Sequence, residues 1–253
     1  MPQLNVLNNS CQLRFAFSLI HMNKGSILNV EQSIINDKAE PVFDYSEKGI
    51  RISVEESLKR LNIDFIDTLL LHDPDQADME KEAIKYAFPT MIKIKEEGLV
   101  KNIGCGINQW EMPLRFYEYF DLDYVLLAGR YTLLENNKSK FFMEKSKNLN
   151  TKITIGGPYN SGILARDLDS PVSYNYEVAP DYLINRAKKI EEITSNYGIS
   201  LKSAALNFLL LDEKVTSIVP GMSSIEEIDE NISLTKESIP EEMWSNLKEN
   251  NYI

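Results

Sequence analysis

From Asp44 onward the chain alternates two hydrophobic periods, and this alternation limits the fold more than any other feature. Ile50, Val54, Leu58 and Leu61 recur at helical spacing, and Phe65 to Leu71 then form a nearly unbroken apolar run ending at His72. Such a run fits a strand buried on both faces, as in a parallel sheet. The unit repeats. A helical pattern from about Met79 to Glu97, stopped by Gly98, leads to a strand from Val100 to Cys105. Helices near Met112 to Phe120 and Lys138 to Lys145 lead to strands at Tyr124 to Leu127 and Lys152 to Ile155. A longer loop, Leu164 to Pro180, precedes helices at about Asp181 to Tyr197 and Ser200 to Leu211, which Gly198 separates. A strand at Thr216 to Val219 follows, then a helix opening at Ser223 or Ser224 and another from Pro240 to Asn250. Strands alternating with helices predict an α/β fold with five parallel strands after residue 64.

Residues 1–43 read differently. Leu13 to Met22 fits a strand, whereas Asn23 to Glu40 has little periodicity. At 253 residues and 43% hydrophobic, the chain has enough apolar surface for one sizeable domain. Its net charge of -11 opposes phosphate backbones and anionic lipid, so neither nucleic acid nor membrane is an expected partner. Cys11 and Cys105 suggest no disulfide framework and no metal site. The early apolar run, Leu13 to Ile20, is broken by Arg14 and lacks a basic lead, unlike a signal peptide. No stretch approaches the roughly 20 apolar residues that span a bilayer. A soluble, cytoplasmic protein is expected.

Four polar or Gly-rich stretches fall where these strands run out: LLLHDPD, NIGCGINQW, IGGPYNSGIL and IVPGMSS. Loops at the C-terminal ends of parallel strands assemble one shared pocket. Here the sequence resembles a known family. FDYSEKGIRISVEESLKRLNIDFIDTLLLHDPD is similar to the middle of an aldo-keto reductase, and the later motifs follow in that family's order and spacing. The GINQW, AGRYTLLE and GGPYNSGIL segments resemble its L-fucose or D-threo-aldose dehydrogenase branch, and the likeness covers about residues 41–235. It implies a (β/α)8 TIM-type barrel, incomplete at the N-terminus. Residues 44–253 would supply strands four to eight, and residues 1–43 an atypical head with a candidate third strand. The implied activity is NAD(P)-dependent hydride transfer between nicotinamide and an aldose sugar or a related carbonyl or alcohol.

Each motif residue then has two readings. His72 is either a strand-end histidine capped by a carboxylate or, by the resemblance, a donor that orients the substrate oxygen. Asp73 is expected to shape its loop. Asn108 is a turn residue or the amide that holds the nicotinamide carboxamide. Gly104 and Gly106 relieve crowding or contact ligand, and Cys105 between them reads as an inert core thiol. Gly157, Tyr159, Asn160, Ser161 and Gly162 form an ordinary turn or a cradle whose backbone N–H groups meet a pyrophosphate. Arg130 and Tyr131 either pack locally or face the nucleotide. The last motif supplies Gly221, Ser223, Ser224 and Glu227 near the adenosine end, with Glu230 and Asn231 matching the family's adenine-binding pair. Glu227 stands where NADP-using members carry Arg, and its carboxylate would repel a 2′-phosphate, so NAD is favoured over NADP. Otherwise Glu226 and Glu227 are acids stabilised by a helix N-terminus.

The family transfers hydride with an Asp and a Tyr on the second barrel strand, a Lys closing the third, and the His matched above. Nothing before residue 44 reads as the DTAxxYG-like segment that brings the Asp and Tyr. Lys24, in HMNKGSIL, is similar to the lysine of an STKVGRIL-like segment. The resemblance therefore implies impaired catalysis. A non-catalytic nucleotide-binding or regulatory protein and a gene fragment without function are the alternatives. A sheet lacking its first strands would also leave unpaired edges and uncovered apolar faces, inviting self-association.

Overall fold

The computed structural model describes residues 44–74, 78–175 and 177–253. Lys24, the Leu13 to Met22 strand and the head formed by residues 1–43 lie outside them. Helix α1 (Glu47–Leu61) opens at Ser46, whose side chain accepts from the Gly49 N–H, and stops at Asn62, where φ is 53°. It buries Ile50 and Val54 and leads into β1 (Ile66–His72). The next helix is not continuous. Glu80–Glu82 gives way to a π turn over Ala83–Ala87 before α2 (Phe88–Glu96). Pro89 explains the wide turn, because it offers no N–H to the carbonyl four residues back and its ring crowds that carbonyl. The Phe88 N–H correspondingly bonds five residues back, to the Ala83 carbonyl. Gly98, with φ of 82°, ends the helical run.

The remaining elements are β2 (Val100–Ile107), α3 (Glu111–Phe116), β3 (Tyr124–Ala128), α4 (Lys140–Asn148) and β4 (Lys152–Gly156). A short hairpin, β5 (Ser173–Tyr174) and β6 (Glu177–Val178), occupies the stretch read as loop. Then come α5 (Asp181–Ser195), α6 (Leu201–Leu210), β7 (Val215–Val219), α7 (Ile225–Leu234) and α8 (Glu241–Glu249). Among the described residues no helix is long and apolar enough to cross a membrane.

Five strands pair in parallel in the order β1-β2-β3-β4-β7, which is the α/β architecture expected from the sequence. The register aligns His72, Gly106, Leu126, Thr154 and Ser217 across the sheet, with a register shift at Ile153/Thr154 where β4 meets β7. The two faces differ. Leu69, Leu71, Ile103, Cys105, Ile107, Val125, Leu127, Ile153, Ile155 and Ile218 alternate onto one face and are all buried in the core. The opposite face carries Thr68, His72, Asn102, Gly104, Gly106, Tyr124, Lys152, Thr154 and Ser217 beside the apolar Ile66, Leu70, Val100 and Leu126. Side-chain contacts follow this register, with Thr154 Oγ1 2.8 Å from Ser217 Oγ and Lys152 Nζ 5.1 Å from the Tyr124 ring centre. Most hydrophobic residues of the strands thus pack toward the helices, while the opposite face is mixed in character.

Candidate functional site

A cleft of about 650 Å³ opens where β2, β3, β4 and β7 end. That volume lies in the range of small-molecule and cofactor sites. Asn108 enters from the end of β2, Gly129 from β3, Gly157 and Tyr159 to Gly162 from β4, and Gly221 from β7. The strand ladder continues into this wall through Gly129 N–H to the Gly156 carbonyl (2.9 Å) and Gly157 N–H to the Val219 carbonyl (3.2 Å). Asn160, Ser161 and Gly162 then take left-handed φ values of 48°, 58° and 99° in succession. Such a run costs free energy at its non-glycine positions and persists only where neighbours hold it. Asn160 supplies that hold. Its Oδ1 accepts from Thr132 Oγ1 at 2.5 Å, and its Nδ2 donates to the Gly129 carbonyl at 3.0 Å.

The far wall is the start of α7. Ser224 caps the helix by accepting from the Glu227 N–H at 3.2 Å. Glu227 Oε2 accepts in return from the Ser223 backbone N–H (2.5 Å) and hydroxyl (3.1 Å). Those bonds, the backbone one first, hold the Glu227 carboxyl below the usual carboxylate range. Tyr159 is mostly buried and donates to Asn231 Oδ1 at 2.5 Å. Burial, then the charge of Glu230, pushes its phenol well above the ordinary tyrosine value, so it stays neutral. Lys202 lies 5.7 Å from the Tyr159 ring centre and pairs with Glu230.

His72 ends β1, one strand away from Asn108, and is not part of the cleft wall. Its ring lies against Gly106, where an added Cβ would stand 3.1 Å from Cδ2. Its Nδ1 is 3.1 Å from Asp73 Oδ2, yet it is buried and makes no aligned hydrogen bond. Asp73 is 6% exposed, with φ of 47° and its N–H donating to the Gly106 carbonyl at 2.8 Å.

The cleft therefore brings together Asn108, Gly157, Tyr159, Asn160, Ser161, Gly162, Gly221, Glu227 and Asn231. Ser223, Ser224 and Glu230 stand behind it, engaged respectively with Glu227, the α7 N-terminus and Lys202. Arg130 and Tyr131 also turn away. Arg130 Nη1 donates to Asn175 Oδ1 and to the Tyr174 hydroxyl on the β5–β6 hairpin, and the Tyr131 hydroxyl donates to Asp212 at 2.7 Å. Sequence reading missed Gly129, Arg166, Asn175 and Lys202 on the cleft wall. Gly129 stood inside the AGRYTLLE motif. Arg166 has no local signal beyond its place four residues past Gly162, and it makes no ion pair or hydrogen bond among the described residues.

Comparison with known proteins agrees with this architecture. A family model described as the aldo/keto reductase family matches residues 22–251. The chain is 36% identical over 208 residues to a D-threo-aldose 1-dehydrogenase from a Pseudomonas species, covering 82% of this chain and 63% of that protein. It is 34% identical over 220 residues to a pyridoxal 4-dehydrogenase from Microbacterium luteolum, covering 84% and 64%. The chain thus spans under two thirds of the length of these curated relatives. Among solved structures, an aldo-keto reductase from Bacillus halodurans in its holo form superposes with a TM-score of 0.68 at 20% identity, over 82% of this chain and 68% of that one. A glycerol dehydrogenase from Gluconobacter oxydans gives 0.68 at 18% identity, over 85% and 67%. By its sequence and its parallel α/β fold, the chain belongs to the aldo/keto reductase family.

Proposed function

We propose that the cleft holds a nicotinamide dinucleotide and that residues 44–253 form the aldo-keto reductase unit, passing hydride between that cofactor and a small hydroxyl or carbonyl compound of the aldose type. The observation that carries this reading is the left-handed turn Asn160–Ser161–Gly162 opposite Gly221 and Glu227 in one cleft. The residues fit the group. A Cβ on Gly157 would meet nothing closer than Gly129 N at 4.0 Å, and one on Gly221 nothing within 4 Å, which leaves room for a phosphate chain against the backbone. Among the described residues Arg166 has no acidic partner and the Asn108 amide makes no hydrogen bond, leaving it a donor and an acceptor to offer. When bound, the nicotinamide supplies the hydride donor or acceptor. His72 and Lys24 are the candidate catalytic side chains.

Glu227 supports NAD over NADP. Its carboxyl is held ionised by Ser223 while lining the cleft, so a 2′-phosphate placed there would meet a fixed negative charge. The names of the relatives point to an aldose or an aldehyde of the pyridoxal type, each oxidised as its hemiacetal, as substrate. The test is fluorescence titration with NADH and NADPH, followed by NADH production from L-fucose, D-arabinose, L-galactose and pyridoxal. Preference for NADH, shifted about tenfold toward NADPH by Glu227→Arg, is expected. Equal affinities in the unmodified chain would remove Glu227 from the assignment. Tight binding with no turnover of any substrate would favour the non-catalytic, nucleotide-binding reading.

A further inference from the structure

The left-handed turn that lines the cleft is tied, through two buried side chains, to a part of the chain distant in sequence. We infer, resting on the cofactor reading of the cleft, that Thr132 and Asn136 are positioning residues that couple the Asn160–Gly162 turn to Tyr252. Docking of residues 251–253 then sets how firmly the turn, and with it a dinucleotide, is held.

Thr132, Asn136 and Asn160 are all buried polar residues. Thr132 Oγ1 accepts from the Glu135 N–H at 3.1 Å and donates to Asn160 Oδ1 at 2.5 Å, which fixes the side chain that holds the turn. Asn136 reaches both ways. Its Nδ2 donates to the Thr132 carbonyl at 3.2 Å and to the Tyr252 carbonyl at 3.0 Å, with a longer contact of 3.5 Å to the Leu133 carbonyl. Its Oδ1 is buried and has no hydrogen-bond partner among the described residues, so the Nδ2 bonds set the orientation of the amide. Arg186 on α5 secures Tyr252 from the other side. Its Nη2 donates to the same Tyr252 carbonyl at 2.9 Å, its Nε donates to the Leu134 carbonyl at 2.9 Å, and its guanidinium lies 4.9 Å from the Tyr252 ring centre.

These bonds form one continuous path from Tyr252 through Asn136 and Thr132 to Asn160. A buried donor or acceptor stripped of its partner costs about as much as a left-handed non-glycine residue, so losing one link suffices to loosen the turn. Withdrawal of Tyr252 leaves an Asn136 N–H unpaired and frees the amide to rotate, which weakens its bond to the Thr132 carbonyl. The coupling is reciprocal. A ligand that fixes the turn tightens residues 251–253 in return.

The test follows hydrogen exchange by mass spectrometry in the full chain without cofactor, over residues 157–165 and, for reference, over β2. Thr132→Val keeps the side-chain shape and removes the hydroxyl. It should speed exchange at residues 157–165 about tenfold, Thr132→Ser should restore the unmodified rate, and β2 should stay unchanged in both. Tyr252 is released by Arg186→Ala and by a chain shortened to end at Asn251, and each should speed the same stretch. If the shortened chain does not fold, Arg186→Ala decides. An unchanged rate at residues 157–165 when Tyr252 is released overturns the proposal, as does a Thr132→Ser chain that behaves like Thr132→Val. Neither measurement needs a cofactor, so both stand if nucleotide binding fails. Where NADH binds, its affinity should fall about tenfold in Thr132→Val and in Arg186→Ala and recover in Thr132→Ser. An affinity untouched by variants that do loosen the turn would sink the turn as the cofactor's seat while leaving its tie to Tyr252 in place.

Discussion

Gly104 and Gly106 sit two residues apart on β2 and answer to different neighbours. A Cβ on Gly104 would stand 1.8 Å from the Tyr124 carbonyl oxygen, so β2 and β3 can pair there only without a side chain. On Gly106 the obstacle is the His72 ring at 3.1 Å, which can give by a few tenths of an ångström. Gly104→Ala should therefore cost about 3 kcal/mol, the upper end for forced overpacking, and Gly106→Ala about 1 kcal/mol. Urea midpoints check the order. The same Gly106 variant should displace His72 and alter its ring signals, an effect Gly104→Ala lacks in any molecules that remain folded. Sequence alone could mark both glycines as relief from crowding but not separate them, because the distinction depends on which strand lies alongside. Cys105 between them is fully buried, as its setting in an apolar strand predicts. Glu227 accepts from Ser223 at the start of α7 and also lines the cleft.

At the scale of elements, the alternation of periods located every described helix and strand of the main sheet, and Ser46, Ser200 and Ser224 serve as N-caps. Two features were not legible. The π turn before Pro89 preserves the hydrophobic stripe, so periodicity reads straight through it. The β5–β6 hairpin is too short for an alternation signal and is held by side chains, with Arg130 donating to Asn175 and the Tyr174 hydroxyl donating to Glu135. Another tie joins neighbouring helical segments. Arg115 on α3 donates to both Glu80 oxygens, at 2.5 and 2.7 Å. That bonding holds the Glu80 carboxyl below its ordinary 4.5. A depressed folded-state value means the contribution is complete above about pH 4.5 and is lost as pH falls through the lowered value. The melting temperature should thus decline in acid, and Arg115→Ala should make the decline between about pH 5 and pH 3 shallower. An identical acid limb in both proteins, followed by circular dichroism, would assign the loss to other carboxylates. Because Arg115 is well exposed, the effect is expected to be modest.

For the molecule as a whole, burial is one-sided. Strand residues that face the helices are apolar, whereas the opposite face is mixed, with Thr68, Asn102, Thr154 and Ser217 beside larger Ile66, Leu70, His72, Tyr124, Leu126 and Lys152. Among the described residues β1 and β7 each have a strand on one side only, which leaves backbone groups of both edges open to association. Self-association, if it occurs, should be edge-to-edge. Light scattering should then show oligomers that charged or proline substitutions on β7 disperse, with no increase in binding of a hydrophobic dye. A monomer with a sharp melt would indicate that residues 1–43 satisfy those edges. The parallel fold was legible because each strand carries its own pattern. The composition of its second face was not, since alternation marks two faces without saying which one meets the helices. The shifted register between β4 and β7 has its own consequence. It makes β7 the strand with the most interrupted ladder, and Gly221 and the α7 cap hang from its end. A ligand bridging β4 and α7 would close that seam, so its binding energy would appear as slowed amide exchange in β7 while β2 and β3 stay unchanged, one local opening equilibrium coupling occupancy to folding.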